Sequence, residues 1–256
     1  MTMNNQRWIA FLLVSFLITG MSCHRTEINV RDDFENPELS NIWSTSRMEL
    51  HSFKIQSKIV RNGLHAANIA IRTGDVVETA TNGNNVSERD ELMENWSLWS
   101  VEENKYEYKF SIFLPDSFPI IPVRLVLAQW KQFCPIGVCS EYSPVLALRY
   151  QSGKIFFTVQ TDSVRHTLWK LDDDVRNRWL DFTFQIRFSR KGNGEVDGFL
   201  NGKHIINYTG VTSYSETLWY LAIKNRYYFK MGLYRDRIPE PMFIYIDQYA
   251  KKEISE

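Results

Sequence analysis

The 256-residue chain has little cysteine: three residues, at positions 23, 134 and 139. That is too few for a disulfide-framework protein. The pair Cys134 and Cys139 lacks the two further soft ligands, suitably spaced, that a structural zinc site needs, so no metal site is expected. An excess of charge of either sign is also missing, with Lys+Arg 30 against Asp+Glu 30. A neutral chain has no long-range field to recruit nucleic acid, so no nucleic-acid partner is expected, and an anionic ligand would have to be held by a local cluster. There is no long helical period, internal repeat or low-complexity linker. The apolar run from Trp8 to Ile18 is too short to cross a bilayer comfortably.

That run has a use nonetheless. It follows an early Arg7 and ends in small residues before Cys23, which is the pattern of a secretory signal over residues 1–22. Cys23, directly after Gly20-Met21-Ser22, resembles the lipid-attachment cysteine of bacterial lipoproteins, although Gly20 stands where leucine is usual. A lipid anchor at Cys23 and plain secretion or periplasmic release both remain open. Either way the protein is expected to be exported. Membrane association would come only through such an anchor. In an oxidising compartment Cys134 and Cys139 are expected to close a small disulfide loop.

Past a polar lead-in over residues 23–45, the punctuation is that of an all-β domain over 46–256. In "YEYKFSIFL", Tyr106, Tyr108, Phe110, Ile112 and Leu114 share one face. "PVLALRY" and "KIFFTVQT" flank a Gln151-Ser152-Gly153 turn, and Asn201-Gly202 marks a second tight hairpin. "WLDFTFQIRFSR", "YYFKMGLYR" and "MFIYIDQYA" complete the strands. The expected fold is a β-sandwich jelly roll of two antiparallel sheets, one presenting a concave groove suited to an extended polymer.

Three segments carry polar groups that a plain core strand would not need. "SERDEL" puts Arg89 and Glu91 on one face. "LAQWKQ" puts Gln129 and Lys131 on one face, with Trp130 turned to the core. In "YYFKMGLYRDR", Phe229, Met231 and Leu233 form a core face, while Tyr228, Lys230, Gly232 and Tyr234 form a polar one. Each taken alone reads as a wet strand face or a surface ion pair. Together, an amide, an arginine, lysines and a tyrosine supply what is needed to remove a proton beside a carboxylate. Neutralising the carboxylate stabilises the enolate-like state, and a tyrosine, lysine or histidine moves the proton. Lys230 and Tyr234 are separated by roughly 13 Å along an extended strand, so they should meet successive parts of a sugar chain.

These segments resemble the motifs of jelly-roll polysaccharide lyases, the group that includes heparin lyase I, glucuronan lyase and alginate lyases. "SERDEL" is similar to the Arg-x-Glu-Leu strand, "AQWKQ" to the Gln-x-His or Gln-Trp-Lys strand, and "YFKMGLYR" to the Tyr-Phe-Lys-x-Gly-x-Tyr strand. The likeness runs from about His65 to Asp247. It implies that Gln129 neutralises a uronate carboxylate with help from Arg89, and that Tyr234 is the acid and a candidate base. Glu91 would orient Arg89. Lys131, Lys230 and Arg235 would bind substrate, and Lys131 or Arg235 could approach Tyr234. Alginate lyases carry histidine where Lys131 stands, so His65 is the remaining candidate base. Trp169 and Trp219 are candidates for stacking on sugar rings.

The implied activity is β-elimination from a uronic-acid-containing polysaccharide by a monomer without a cofactor; nothing in the sequence indicates a structural calcium. A non-catalytic, lectin-like jelly roll is the alternative. A glycoside hydrolase is a weaker one, because no strand offers an evident acidic pair facing a groove.

Overall fold

The computed structural model describes residues 27–75, 78–79, 86–134, 143–162, 165–215 and 224–254. Its strands, in chain order, are β1 (Asn29–Asp32), β2 (Trp43–Ser44), β3 (Phe53–Gln56), β4 (Ala66–Ile71), β5 (Glu78–Thr79), β6 (Val86–Glu94), β7 (Ser100–Val101), β8 (Lys105–Phe113) and β9 (Leu125–Gln132). They continue with β10 (Leu146–Gln151), β11 (Lys154–Val159), β12 (His166–Leu171), β13 (Trp179–Arg187), β14 (Gly194–Leu200), β15 (Lys203–Gly210), β16 (Arg226–Asp236) and β17 (Met242–Ile254). No α-helix occurs among the described residues.

One sheet of eight strands runs β15-β14-β13-β8-β17-β4-β3, with β1 on β17. The other, of nine, runs β12-β11-β10-β9-β16-β6-β2, with β5 on β6 and β7 on β16. The paired strands are antiparallel, as expected for a jelly-roll sandwich. The polar lead-in is part of this architecture: β1 and β2 add one strand to each sheet. Trp43 Nε1 on β2 donates to Asp32 Oδ2 on β1 at 2.8 Å, linking the two.

Alternation explains the core. Tyr106, Tyr108, Phe110 and Ile112 on β8 are buried against Trp130, Phe157, Phe184 and Phe229 from both sheets. The two glycine turns take the form the sequence predicts. Ser152 and Gly153 have φ of 50° and 82°, and Asn201 and Gly202 have 49° and 77°. Positive φ at both central residues is the I′ geometry that matches strand twist.

Strand β6 differs from a plain core strand. Leu92 faces the core, and Glu88, Asp90 and Glu94 share its face, all fully buried. The sequence reading missed this acidic row. Each member is held by a partner within the sandwich. Glu88 takes Arg235 at 3.0 Å, Asp90 accepts from the Glu49 amide at 2.8 Å, and Glu94 takes Lys251 at 2.9 Å and the Tyr249 hydroxyl at 2.5 Å. Glu94 therefore bolts β6 to β17 of the opposite sheet. The row points away from the outer face of β6, so it does not form a carboxylate pair facing a groove.

Candidate active site

The central strands of the nine-stranded sheet lie in the order β10-β9-β16-β6. Their register aligns the polar positions. Tyr234 pairs with Arg89, Gly232 with Glu91, and Lys230 with Gln129. On β9, Trp130 points into the core, where it packs on Tyr108 and Phe229, which turns Gln129 and Lys131 outward. On β16, Phe229, Met231 and Leu233 belong to the core, which leaves Lys230 and Tyr234 on the outer face. Arg89, Gln129, Lys131, Lys230, Glu91 and Tyr234 thus converge on one face, from segments far apart in sequence.

Gly232 is what brings β6 close. It has φ of 145°, and a Cβ there would collide with the carbonyl oxygen of Asp90 and lie 2.9 Å from Glu91 Cα. The β9–β16 register also shifts between Met231 and Tyr234. A glycine in a strand interior commonly marks such a close approach.

Glu91 is the hub. Gln129 Nε2 donates to its Oε1. Its Oε2 lies 3.5 Å from Lys230 Nζ and 3.8 Å from Arg89 Nη1. Burial acts to raise the Glu91 carboxyl, but Lys230, Arg89 and the Gln129 hydrogen bond together outweigh it and hold the group below its usual range. Lys230 is pushed the other way, down to about 8. Burial is the main cause; the attraction of Glu91, next in size, opposes it, and repulsion from Arg89, Lys131 and Arg47 adds to it. Gln129 is 1% exposed, Lys230 2% and Arg89 4%, so these outward side chains are covered and do not lie on an open sheet face.

Tyr234 stands at the end of this row. Arg89 Cζ is 4.3 Å from the centroid of its ring and Arg124 Cζ 4.7 Å. Arg124 is anchored by Asp236 at 2.6 Å and Ser87 at 2.9 Å. Such stacked guanidinium groups hold a ring by cation–π attraction. At the other end, Tyr228 packs on Trp99 with centroids 5.1 Å apart, and Lys230 Nζ lies 5.6 Å from the Tyr228 ring.

The remaining sequence candidates fall elsewhere. His65 precedes β4 in the eight-stranded sheet, and its Nδ1 lies 3.3 Å from Glu35 Oε2. It is not among the side chains gathered around Glu91, because β4 belongs to the opposite layer. Arg235 alternates with Tyr234 and points inward, where it is fully buried against Glu88 and the carbonyls of Ile238 and Glu240. It is therefore a structural cation on the inner side of the strand, away from the Glu91 cluster. Trp169 packs half-buried against the core. Cys134 is disulfide-bonded; Cys139, with Cys23 and Trp219, lies outside the described residues.

The sequence reading missed Arg124 and Arg149. The signal for Arg149 was present. Leu146, Leu148 and Tyr150 are the core face of "LALRY", so alternation puts Ala147 and Arg149 outside. For Arg124, which lies before β9, no periodicity was available. Among the described residues no group of three or more His, Cys, Asp or Glu is placed to hold a metal ion.

Two packed antiparallel sheets, one gathering cations, an amide and a tyrosine on its outer face, define a jelly-roll protein with a polar cluster on one sheet. Comparison gives the family. The chain belongs to the polysaccharide lyase family, whose profile matches residues 34–250, and it is a lyase. This sets aside the lectin-like and hydrolase alternatives. No curated protein sequence matches. Among solved structures, the chain is similar to an endo-β-1,4-glucuronan lyase from the fungus Trichoderma reesei, at 14% identity and a TM-score of 0.67, over 86% of this chain and 94% of that one. It is also similar to the family 7 alginate lyase A1-II′, at 14% identity and a TM-score of 0.56, over 81% and 86%. A third likeness is to the alginate lyase Aly36B in complex with an alginate trisaccharide, at 10% identity and a TM-score of 0.59, over 89% and 98%. At these identities the structural likenesses speak for the fold.

Proposed function

We propose that this lyase cleaves a uronic-acid-containing polysaccharide by β-elimination in the cleft above Glu91. One observation carries the reading: Arg89, Gln129, Lys230 and Tyr234, from three segments far apart in the chain, stand together on one sheet face around Glu91. An amide and cations held together in this way can neutralise a substrate carboxylate as charge develops on it. The likeness to glucuronan and alginate lyases supports a uronate as that anion.

In this reading the substrate carboxylate docks against Gln129, with Lys230 and Arg89 beside it. Glu91 accepts one N–H of Gln129 and so holds the amide with its second N–H free to donate to the substrate. These groups stabilise the charge that grows on the carboxylate as the adjacent C–H proton leaves. Tyr234 takes that proton and delivers one to the glycosidic oxygen as the C–O bond breaks, leaving an unsaturated sugar at the new non-reducing end. His65, hydrogen-bonded in the other sheet, has no part in the step. Trp99 and Tyr228 form an aromatic wall for sugar rings at the Lys230 end.

The protein is read as exported, from the signal pattern of residues 1–22, with Cys23 as a site of lipid attachment and Cys134–Cys139 as its disulfide. It is read as working as a monomer without a cofactor. The decisive experiment is an ultraviolet assay on glucuronan, alginate, heparin-type glycans and bacterial exopolysaccharides. Elimination creates a conjugated, absorbing double bond. Absorbance from a uronate polymer is expected; product formation from neutral polymers alone would overturn the uronate assignment.

A further inference from the structure

The outer face of the eight-stranded sheet, on the far side of the sandwich from Glu91, carries features that the elimination step does not use. Strands β13, β8 and β17 bring three rows of outward side chains into register. Trp179 pairs with Phe113 and Phe113 with Tyr245. Asp181 pairs with Ser111 and Ser111 with Asp247, while Thr183 pairs with Lys109 and Lys109 with Ala250. The first row is aromatic. The rings of Trp179 and Phe113 have centroids 5.5 Å apart, and those of Phe113 and Tyr245 6.0 Å. Trp179 and Tyr245 are half-buried at the surface and belong to no part of the sandwich core.

The other two rows border a cavity of about 420 Å³, lined by Arg61, Lys109, Ser111, Asp181, Thr183 and Gln248 among others. Gln248 reaches it through a bulge. Asp247 opposes Ser111 and Ala250 opposes Lys109, so Gln248 and Tyr249 together face the single residue Phe110. Gln248 has φ of 56°, a region that residues with side chains seldom take. The irregularity returns Tyr249 to the core and leaves Gln248 on the cavity wall. Bulges commonly re-aim a side chain in this way beside a site. The Gln248 amide reaches Asp247 Oδ1 only at 3.5 Å. The charges of the lining are already matched. Arg61 donates from Nε and Nη2 to the two oxygens of Asp181 at 2.9 and 2.8 Å, and the Ser111 hydroxyl adds a bond to Asp181 at 2.7 Å. Lys109 lies 3.0 Å from Glu107. A wall whose charges satisfy one another complements a neutral ligand. Arg61 Nη1, the Thr183 hydroxyl and the Gln248 amide are left to offer it mixed donors and acceptors.

We propose that this face is a second carbohydrate site, apart from the Glu91 cluster, which takes a neutral β-1,4-linked hexosyl chain. One sugar sits in the cavity with its hydroxyls on Arg61, Thr183 and Gln248, and a later unit of the same chain stacks on Trp179 and Tyr245. A sugar ring offers what the two parts ask for: hydroxyls around its edge for mixed donors and acceptors, and apolar C–H faces for amphipathic aromatic rings. Thr183 and Trp179 are roughly 13 Å apart along β13, so a short, extended oligosaccharide reaches both. Because the site lies on the opposite sheet, it holds the enzyme to a neutral glycan without touching the elimination step.

Calorimetry on the full chain with two probes, cellohexaose and mannohexaose, tests this. Saturable binding of at least one is expected. Trp179→Ala should weaken it roughly tenfold, as the loss of a stacked ring requires. Gln248→Gly should weaken it about threefold, the worth of one hydrogen bond. Its melting temperature should stay level or rise, because glycine adopts a positive φ without strain, so the lost affinity is not lost fold. Both variants should release unsaturated product from a uronate polymer at the wild-type rate. Failure of the wild type to bind either probe overturns the proposal, and so does affinity that survives both substitutions. Displacement of the bound probe by an equal concentration of glucuronan hexasaccharide also overturns it, since the ligand would then sit in a site for anions. If Trp179→Ala does not fold, Gln248→Gly decides alone, and unchanged affinity there is fatal. The binding measurement needs no turnover, so a wild type without elimination activity would remove the proposed chemistry and leave this site standing.

Discussion

The guanidinium of Arg89 lies 4.3 Å from the centre of the Tyr234 ring while its Nη1 stands 3.8 Å from Glu91. One arginine thus joins the phenol to the carboxylate that holds Gln129. The residues proposed to neutralise a uronate and those proposed to move its proton are one connected network on adjacent strands.

Tyr234→Phe retains the ring, its two guanidinium neighbours and its packing, and removes the hydroxyl. Turnover should fall roughly a hundredfold or more, the usual contribution of a positioned acid or base. The melting temperature should hardly change. Full activity by the ultraviolet assay would rule out Tyr234 as the proton carrier.

Glu91→Gln keeps the shape of the hub and deletes its charge. Lys230 and Arg89 then lose the charge of Glu91 while they stay buried, which should destabilise the fold by on the order of 3 kcal/mol. The more positive site should bind uronate more tightly, while kcat falls because the charge-assisted hydrogen bond that orients Gln129 becomes a weaker neutral one. KM and kcat dropping together would be the signature; an unchanged kcat would argue against an orienting role.

Lys230 sets a pH dependence. Its folded pKa is near 8, below its ordinary 10.5. The ammonium charge is therefore lost as pH rises through about 8, and KM for a uronate polymer should climb from there while Lys230→Met shows a high, flat KM. Stability moves the other way. Between pH 8 and 10.5 the unfolded chain holds more protons at this site, so this residue's charging cost is relieved and its contribution to stability rises across that window. Initial-rate profiles and urea melts at matched pH check both signs.

Gly232→Ala forces a methyl group against the backbone of β6 at a positive φ. Overpacking of this kind should cost roughly 1–3 kcal/mol. It should also separate Glu91 from Gln129 and Lys230, so kcat/KM should fall more than a comparable loss of stability elsewhere would cause. Denaturant unfolding and kinetics on the same samples test the coupling.

Much of this molecule was legible along the chain because strands have a period of two. Alternation placed Trp130, Phe229, Met231 and Leu233 inward, and with them Gln129, Lys131, Lys230 and Tyr234 outward. The same rule held Arg149 in view, though no motif drew attention to it. The I′ turns at Ser152-Gly153 and Asn201-Gly202 were local chemistry and needed no tertiary context. Periodicity says which face a residue takes but not what that face meets. His65, just before β4, and Tyr234, on β16, both read as strand-region residues, yet only strand order shows that β4 and β16 belong to opposite sheets. Arg235 and the acidic row of β6 find partners from Glu240, Glu49 and Lys251, which no spacing rule connects. Whether a charge on a strand is solvated, bonded inside the sandwich or left for a ligand depends on what packs over it. That is a property of long-range pairing, and the tertiary structure alone decided it.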